Sequence, residues 1–165
     1  MIFMALLNAF NNGVLPSVQS YSCMPYGTRA YHLAVTLGAM ANPAACLAGV
    51  WLRPVPSKVL GVMMTLTLVP MGYIMATALL SPEPPLQDTA GGEFLIVLAW
   101  VVVNAVLSYA RMWVYGWARE AGARGMRTCG AVTQLGSASG SFVFFFLVNY
   151  TNLFTQSDTC PSLIN

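Results

Sequence analysis

Residues Val59–Leu80 read VLGVMMTLTLVPMGYIMATALL, a run with no charged residue. A helix rises ~1.5 Å per residue, so about 20 such residues cross a ~30 Å hydrocarbon core. No polar face recurs along the run at helical spacing, so none of its faces suits water. Three further stretches share this character: Ala30–Leu52, Phe94–Ala118 with Arg111 inside it, and Thr128–Tyr150. The opening stretch Met1–Tyr21 is also charge-free and long enough, but it holds Asn8, Asn11, Asn12, Gly13, Pro16 and Gln19. The expected fold is an all-α integral membrane protein with five transmembrane helices. They lie at approximately 1–21, 30–52, 59–80, 94–118 and 128–150, in a single domain over 1–165.

Composition points the same way. Of 165 residues, 57% are hydrophobic and 7% charged, against ~25% charged in an ordinary soluble domain. So few charges do not cover a water-facing surface, and the lipid bilayer is the expected surrounding. A net charge of +2, scattered along the chain, argues against nucleic acid as a partner. Cys23, Cys46, Cys129 and Cys160 form no CxxC pair and His32 is the single histidine, which argues against a metal site. Cys46 and Cys129 fall in apolar stretches, where cysteine acts as a small buried hydrophobe. There is no GxSxG, no HExxH and no Gly-rich phosphate loop, so neither an enzyme nor a cofactor is expected. Ile2–Leu7 is apolar with no basic residue before it and no Ala-x-Ala site after it, which argues against a cleaved signal peptide.

The connections expected between spans are Ser22–Arg29, Arg53–Lys58, Ser81–Glu93 and Arg119–Arg127. Arg53–Lys58 and Arg119–Arg127 carry the basic residues, while Ser81–Glu93 carries Glu83, Asp88 and Glu93. Basic connections stay in the cytosol, so the N-terminus is expected inside and the C-terminus outside. Arg29 alone dissents. Trp51, Trp113, Tyr115 and Trp117 fit an aromatic belt at the cytosolic interface.

Chemistry is expected first at Asn8–Tyr21. Pro16 lacks an N–H and its ring crowds the preceding turn, so the helix should kink or unwind near Asn12–Gly13. Freed backbone groups and amides do not face lipid. They pack against neighbours in a plain proline kink, or they line a substrate chamber, as broken helices do in many transporters. The second candidate is Gln134 with Leu135–Ser141. Its Gly136 and Gly140 form a GxxxG pair, read as close helix packing, as is the Ala41, Ala45, Gly49 stripe. Gln134 itself is a further ligand contact. Arg111 is read as snorkelling to the cytosolic surface, or as an ion pair along a transport path. His32 is read as an interfacial polar residue, with pH sensing as its alternative. Asn149-Tyr150-Thr151 is a glycosylation sequon by pattern, expected unmodified so close to a span.

Asn12-Gly-Val-Leu-Pro-Ser-Val-Gln-Ser-Tyr-Ser-Cys-Met-Pro-Tyr-Gly27 closely resembles a stretch of the vertebrate riboflavin transporter family. Ala30-Tyr-His-Leu-Ala34, Met40-Ala-Asn-Pro43, Gly91-Gly-Glu-Phe-Leu-Ile-Val-Leu98 and Gln134-Leu-Gly-Ser137 follow in order along nearly the whole chain. The resemblance implies the C-terminal part of an eleven-span carrier that brings riboflavin across the plasma membrane without ATP. It implies a fold similar to equilibrative nucleoside transporters and major-facilitator carriers, with two bundles around a central site. The N-terminal six-span half is then missing. Ser81-Pro-Glu-Pro84 departs from the Ser-Pro-Cys-Pro of the family, so Cys160 lacks the partner that the family pattern offers. The flat ring of riboflavin wants an aromatic slot and amide partners. Asn8, Asn12, Gln19, Ser20, Tyr21 and Gln134 are the expected substrate contacts. Two other functions fit the same residues: a non-transporting membrane fragment that assembles with a full-length carrier, and a surface receptor, a role that some members of the family fill.

Overall fold

The computed structural model describes residues 2–51, 55–87, 89–151 and 153–155. Arg53, Asp88 and Cys160, used above for orientation and pairing, lie outside the described residues. All regular structure among the described residues is helical. The order is α1 (Ile2–Asn8), a π-helical turn (Ala9–Val14), α2 (Leu15–Cys23), a 3-10 turn (Met24–Tyr26), α3 (Thr28–Trp51), α4 (Ser57–Leu79), α5 (Ala90–Glu120) and α6 (Gly122–Tyr150). Three of them, α4, α5 and α6, are long and apolar enough to cross a membrane.

Large apolar side chains cover the outside of the bundle as well as filling its core, unlike the surface of a water-soluble fold. Leu66, Val69 and Phe142 are 65%, 74% and 66% exposed, whereas Asn8, Ser22, Thr67, Thr77 and Ser108 are buried. Hydrocarbon surroundings impose this sorting, because every polar group must find its partner inside. The hydroxyls comply locally. Thr65 donates to Gly61 O at 2.9 Å, Thr67 to Met63 O at 2.7 Å and Thr133 to Cys129 O at 2.8 Å, each bonding back into its own helix.

Helix α5 is the centre of the bundle and packs against α3, α4 and α6. It buries Ile96, Trp100, Val103 and Leu107 along its length. Its start is capped by Thr89, whose Oγ1 accepts from Gly92 N at 3.1 Å. At 31 residues it spans ~46 Å, so it extends beyond a ~30 Å hydrocarbon core. The expected Arg119–Arg127 connection is largely helical. The chain reverses only at Ala121 and Gly122, where Gly122 takes φ 75°, a left-handed conformation that costs glycine little. Lys58 and Glu93 likewise lie inside α4 and α5, and Ser22 ends up in α2.

The first helix lies against α6 through small residues. A Cβ at Gly13 would meet Gly140 C at 2.5 Å, and one at Gly140 would meet Ala9 O at 2.6 Å; Gly136 sits equally tightly on Ala5. The GxxxG pair is therefore a backbone-to-backbone packing face. At the other side of the bundle, Tyr26 is buried and its hydroxyl donates to Pro85 O at 2.8 Å while pairing with Tyr73 Oη at 3.1 Å. This pins the Ser81–Gln87 turn to the connection between α2 and α3.

Candidate functional site

The helix expected to break at Asn12–Pro16 does not unwind. It widens into the π turn, with Leu15 N donating to Phe10 O five residues back. Pro16 then falls in the first turn of α2, where a missing N–H is tolerated. The groups that this leaves open are closed by hydroxyls. Ser141 Oγ of α6 donates to Asn12 O at 3.3 Å, and Ser17 Oγ donates to Gly13 O at 2.8 Å. The π turn is thus tied to α6, and the carbonyls of Asn12 and Gly13 both accept hydroxyl donors. π turns of this kind are frequent at functional sites, and here the turn carries Asn11.

Asn11 faces a cavity of about 240 Å³ between the first helix, α3 and α5. Gln19 and Pro16 line it from the first helix, Asn42 and Gly38 from α3, and Trp100 and Asn104 from α5. Trp100 Nε1 donates to Ser22 Oγ at 3.1 Å. Its one donor is spent there, and at 1% exposed the indole packs behind the cavity as part of the core. Asn104 Nδ2 donates to Trp100 O at 2.8 Å. Asn11 Nδ2 donates to Asn12 Oδ1 at 2.9 Å, but Asn11 Oδ1 is buried with no partner. A buried carbonyl oxygen without a donor costs about 1–3 kcal/mol.

Of the expected contacts, Gln19 lies on this cavity. Asn12 is one position away and directed elsewhere, donating from Nδ2 to Ser137 Oγ on α6 at 2.9 Å. Asn8 is buried and donates to Met4 O at 2.8 Å within its own helix. Ser20 is half-buried, and Tyr21 packs on Phe154 with ring centres 5.5 Å apart. Gln134 is exposed on α6. Asn42, Trp100 and Asn104 were not anticipated. Two isolated amides inside otherwise apolar helices were their only signal, since an amide in hydrocarbon needs a partner.

Arg111 neither snorkels nor forms an ion pair among the described residues. Its Nη2 donates to Ser108 Oγ at 3.2 Å, three residues back along α5, and to Asn42 Oδ1 at 3.1 Å. The side chain therefore points towards the middle of the helix. Ser108 Oγ also donates to Asn42 Oδ1. Arg29 does have a carboxylate nearby, with Nε 4.0 Å from Glu93 Oε1. Cys46 is exposed, while Cys23 and Cys129 are buried.

A second hollow lies between α1 and α4, lined by Phe3, Phe10, Met64, Leu68 and Met71. Its only side-chain hydroxyls, on Thr65 and Thr67, are spent on their own helix. It offers nothing to orient a polar ligand.

Three membrane-length apolar helices, with an amide-lined cavity between the first helix, α3 and α5, define a helical protein of the membrane class. Residues 1–156 match the family described as "Solute carrier family 52, riboflavin transporter". The chain belongs to this family. It is 47% identical over 160 residues to "Riboflavin transporter 2" of Salmo salar, covering 96% of this chain and 35% of that relative. It is 45% identical over 156 residues to member 3 of the family from Homo sapiens, covering 94% and 33%. Member 2 from Homo sapiens is 41% identical over 159 residues, covering 95% and 35%. The chain thus spans about a third of the length of the curated relatives it matches. No solved structure matches it at a significant level.

Proposed function

We propose that the chain forms the five-span bundle of a facilitative riboflavin carrier in the plasma membrane, one of two bundles around a shared site. The first helix and α3 cross the membrane alongside α4, α5 and α6. Lys58, Arg119, Arg124 and Arg127 gather at the end of the bundle that places the N-terminus in the cytosol, and Glu83 and Glu93 lie at the other. The pairing of Arg29 with Glu93 reconciles that lone basic residue with the orientation.

The observation that carries the reading is the cavity that Asn11, Gln19, Asn42 and Asn104 line together between the first helix, α3 and α5. The riboflavin ring is flat and bears an imide N–H between carbonyls. Its polar edge matches the amide donors and acceptors along the cavity. At about 240 Å³ the cavity is smaller than the ~300–1,000 Å³ that buries a whole drug-sized ligand. It therefore takes the ring edge, and the ribityl chain is covered by the remainder of a longer family protein. Uptake of radiolabelled riboflavin tests this in cells that display the chain together with the N-terminal part of a longer relative. Uptake above that of cells with either piece alone is expected. Two surface-expressed pieces that import no more than untransfected cells would rule the reading out.

A further inference from the structure

We infer that Arg111 anchors an interface: it forms an ion pair with a carboxylate carried by the part of the longer family protein that lies outside this chain. The inference rests on the reading of this chain as one bundle of a longer carrier, and it names what meets the open side of that bundle.

Arg111 sits within α5, one of the helices long and apolar enough to cross a membrane. A charge at such a position is expensive and almost always finds a partner or a wet cavity. Its bonds here go to neutral groups, from Nη2 to Asn42 Oδ1 at 3.1 Å and to Ser108 Oγ at 3.2 Å. They orient the guanidinium without neutralising it. A guanidinium has five N–H donors, and those on Nε and Nη1 meet no acceptor among the described residues. The side chain is half-buried, so part of it reaches the surface of the bundle. Of the described carboxylates, Glu83 precedes α5, Glu93 lies in its first turn and Glu120 ends it. The ion pair among them is Glu93 with Arg29. Two other sources of counter-charge drop out. A lipid phosphate would draw the side chain towards the near end of α5, and Nη2 instead reaches back to Ser108. Riboflavin carries no anionic group at neutral pH.

Helix α3 shows the side from which the partner comes. Its exposed surface falls into two stripes. Leu33, Leu37, Met40 and Leu47 form one, large and apolar, as lipid requires. His32, Thr36, Ala39, Pro43 and Cys46 form the other, small or polar, and all are exposed. At ~100° per residue, Asn42 borders the second stripe and lies across it from the first. Arg111 is bonded to Asn42, so the cation opens beside the stripe that does not suit lipid. Small residues let another helix approach closely. About two thirds of the length of the relatives lies outside this chain, which covers 35% and 33% of two of them. An apolar helix from that remainder, laid along the second stripe, brings an Asp or Glu side chain to the free edge of the guanidinium. A carboxylate there takes two parallel N–H bonds, while Asn42 and Ser108 hold the opposite side.

The test uses this chain and the N-terminal part of a longer relative, expressed as two pieces and purified from membranes through a tag on the chain. Arg111→Glu and Arg111→Met should each recover at least about tenfold less of the N-terminal part, because one buried charge is left unpaired. Arg111→Lys keeps the charge and should recover most of it. A second arm leaves this chain unmodified, so that misfolding of an Arg111 variant is not the explanation. Each Asp and Glu within the apolar spans of the N-terminal part is changed in turn to its amide and to Lys. One amide change should lower recovery as much as Arg111→Met, and the Lys change at that same position should restore recovery with Arg111→Glu. Equal recovery with Arg111→Glu and with the unmodified chain would overturn the inference, and so would a full set of carboxylate changes among which none restores Arg111→Glu. Unmodified pieces that do not associate at all would remove the proposed function on which it rests.

Discussion

Asn11 and Asn12 are neighbours in the chain that serve different helices. Asn11 Nδ2 donates to Asn12 Oδ1 at 2.9 Å, and Asn12 Nδ2 donates onward to Ser137 Oγ of α6 at 2.9 Å. The relay ties the π turn to α6 with one of the two N–H groups of Asn11, and leaves Asn11 Oδ1 buried without a partner.

The contact of the first helix with α6 has no room for side chains. Gly140→Leu should lower stability by about 1–3 kcal/mol through overpacking against Ala9, since a Cβ there would already lie 2.6 Å from Ala9 O. Gly130 lies on the same helix with nothing within 4 Å of its Cβ position, so Gly130→Ala should be neutral or slightly stabilising. Thermal unfolding in detergent micelles separates the two. Equal melting temperatures for both variants would contradict this packing.

Trp100 combines core packing and a tether. It is 1% exposed and its Nε1 donates to buried Ser22 Oγ. Trp100→Phe keeps an aromatic ring in the core but leaves that hydroxyl without its donor, and should cost about 1–3 kcal/mol. Replacing Ser22 with alanine in the same background should add little, because the two changes remove one interaction. A double-mutant cycle in chemical unfolding checks this, and full additivity would contradict it.

Tyr26 makes the structure sensitive to alkali. Burial, and then the hydrogen bond with Tyr73, hold its phenol above the ordinary value of 10.0. The protonated form is the one the fold favours. The stabilisation is complete below pH 10 and is lost as pH rises through the raised value. The melting temperature of the chain should therefore fall above the ordinary value of 10.0 more steeply than that of Tyr26→Phe. At neutral pH the variant should be less stable by about 1 kcal/mol for each bond lost, to Pro85 O and Tyr73 Oη. Parallel pH profiles for the two proteins would refute the assignment.

Much of this architecture is legible in the sequence. Uncharged runs such as Val59–Leu80 mark helices through length alone, and Gly136 with Gly140 marks a packing face because only small residues let backbones touch. The response to Pro16 was not legible. Proline shows that a helical bond is lost, but whether the chain unwinds or widens depends on Ser141, which approaches from a helix 125 residues away. The site was half legible for the same reason. Gln19 and the amide-rich stretch drew attention by composition. Choosing Asn11 over Asn12 required the register of the π turn, and linking Asn42 to Arg111 required the packing of α3 on α5. A charge within an apolar helix shows that a partner exists without showing which residue it is.

Riboflavin binding to Asn11→Leu tests the central claim most directly. The side chains are similar in volume, and leucine removes the buried unpartnered oxygen together with the bond to Asn12 Oδ1, so the melting temperature of the variant is measured alongside to show that it folds. Measured by flavin fluorescence on the full chain in nanodiscs, its affinity for riboflavin should fall by about tenfold or more. A correctly folded Asn11→Leu chain that binds riboflavin as tightly as the unmodified protein would show that the vitamin sits elsewhere.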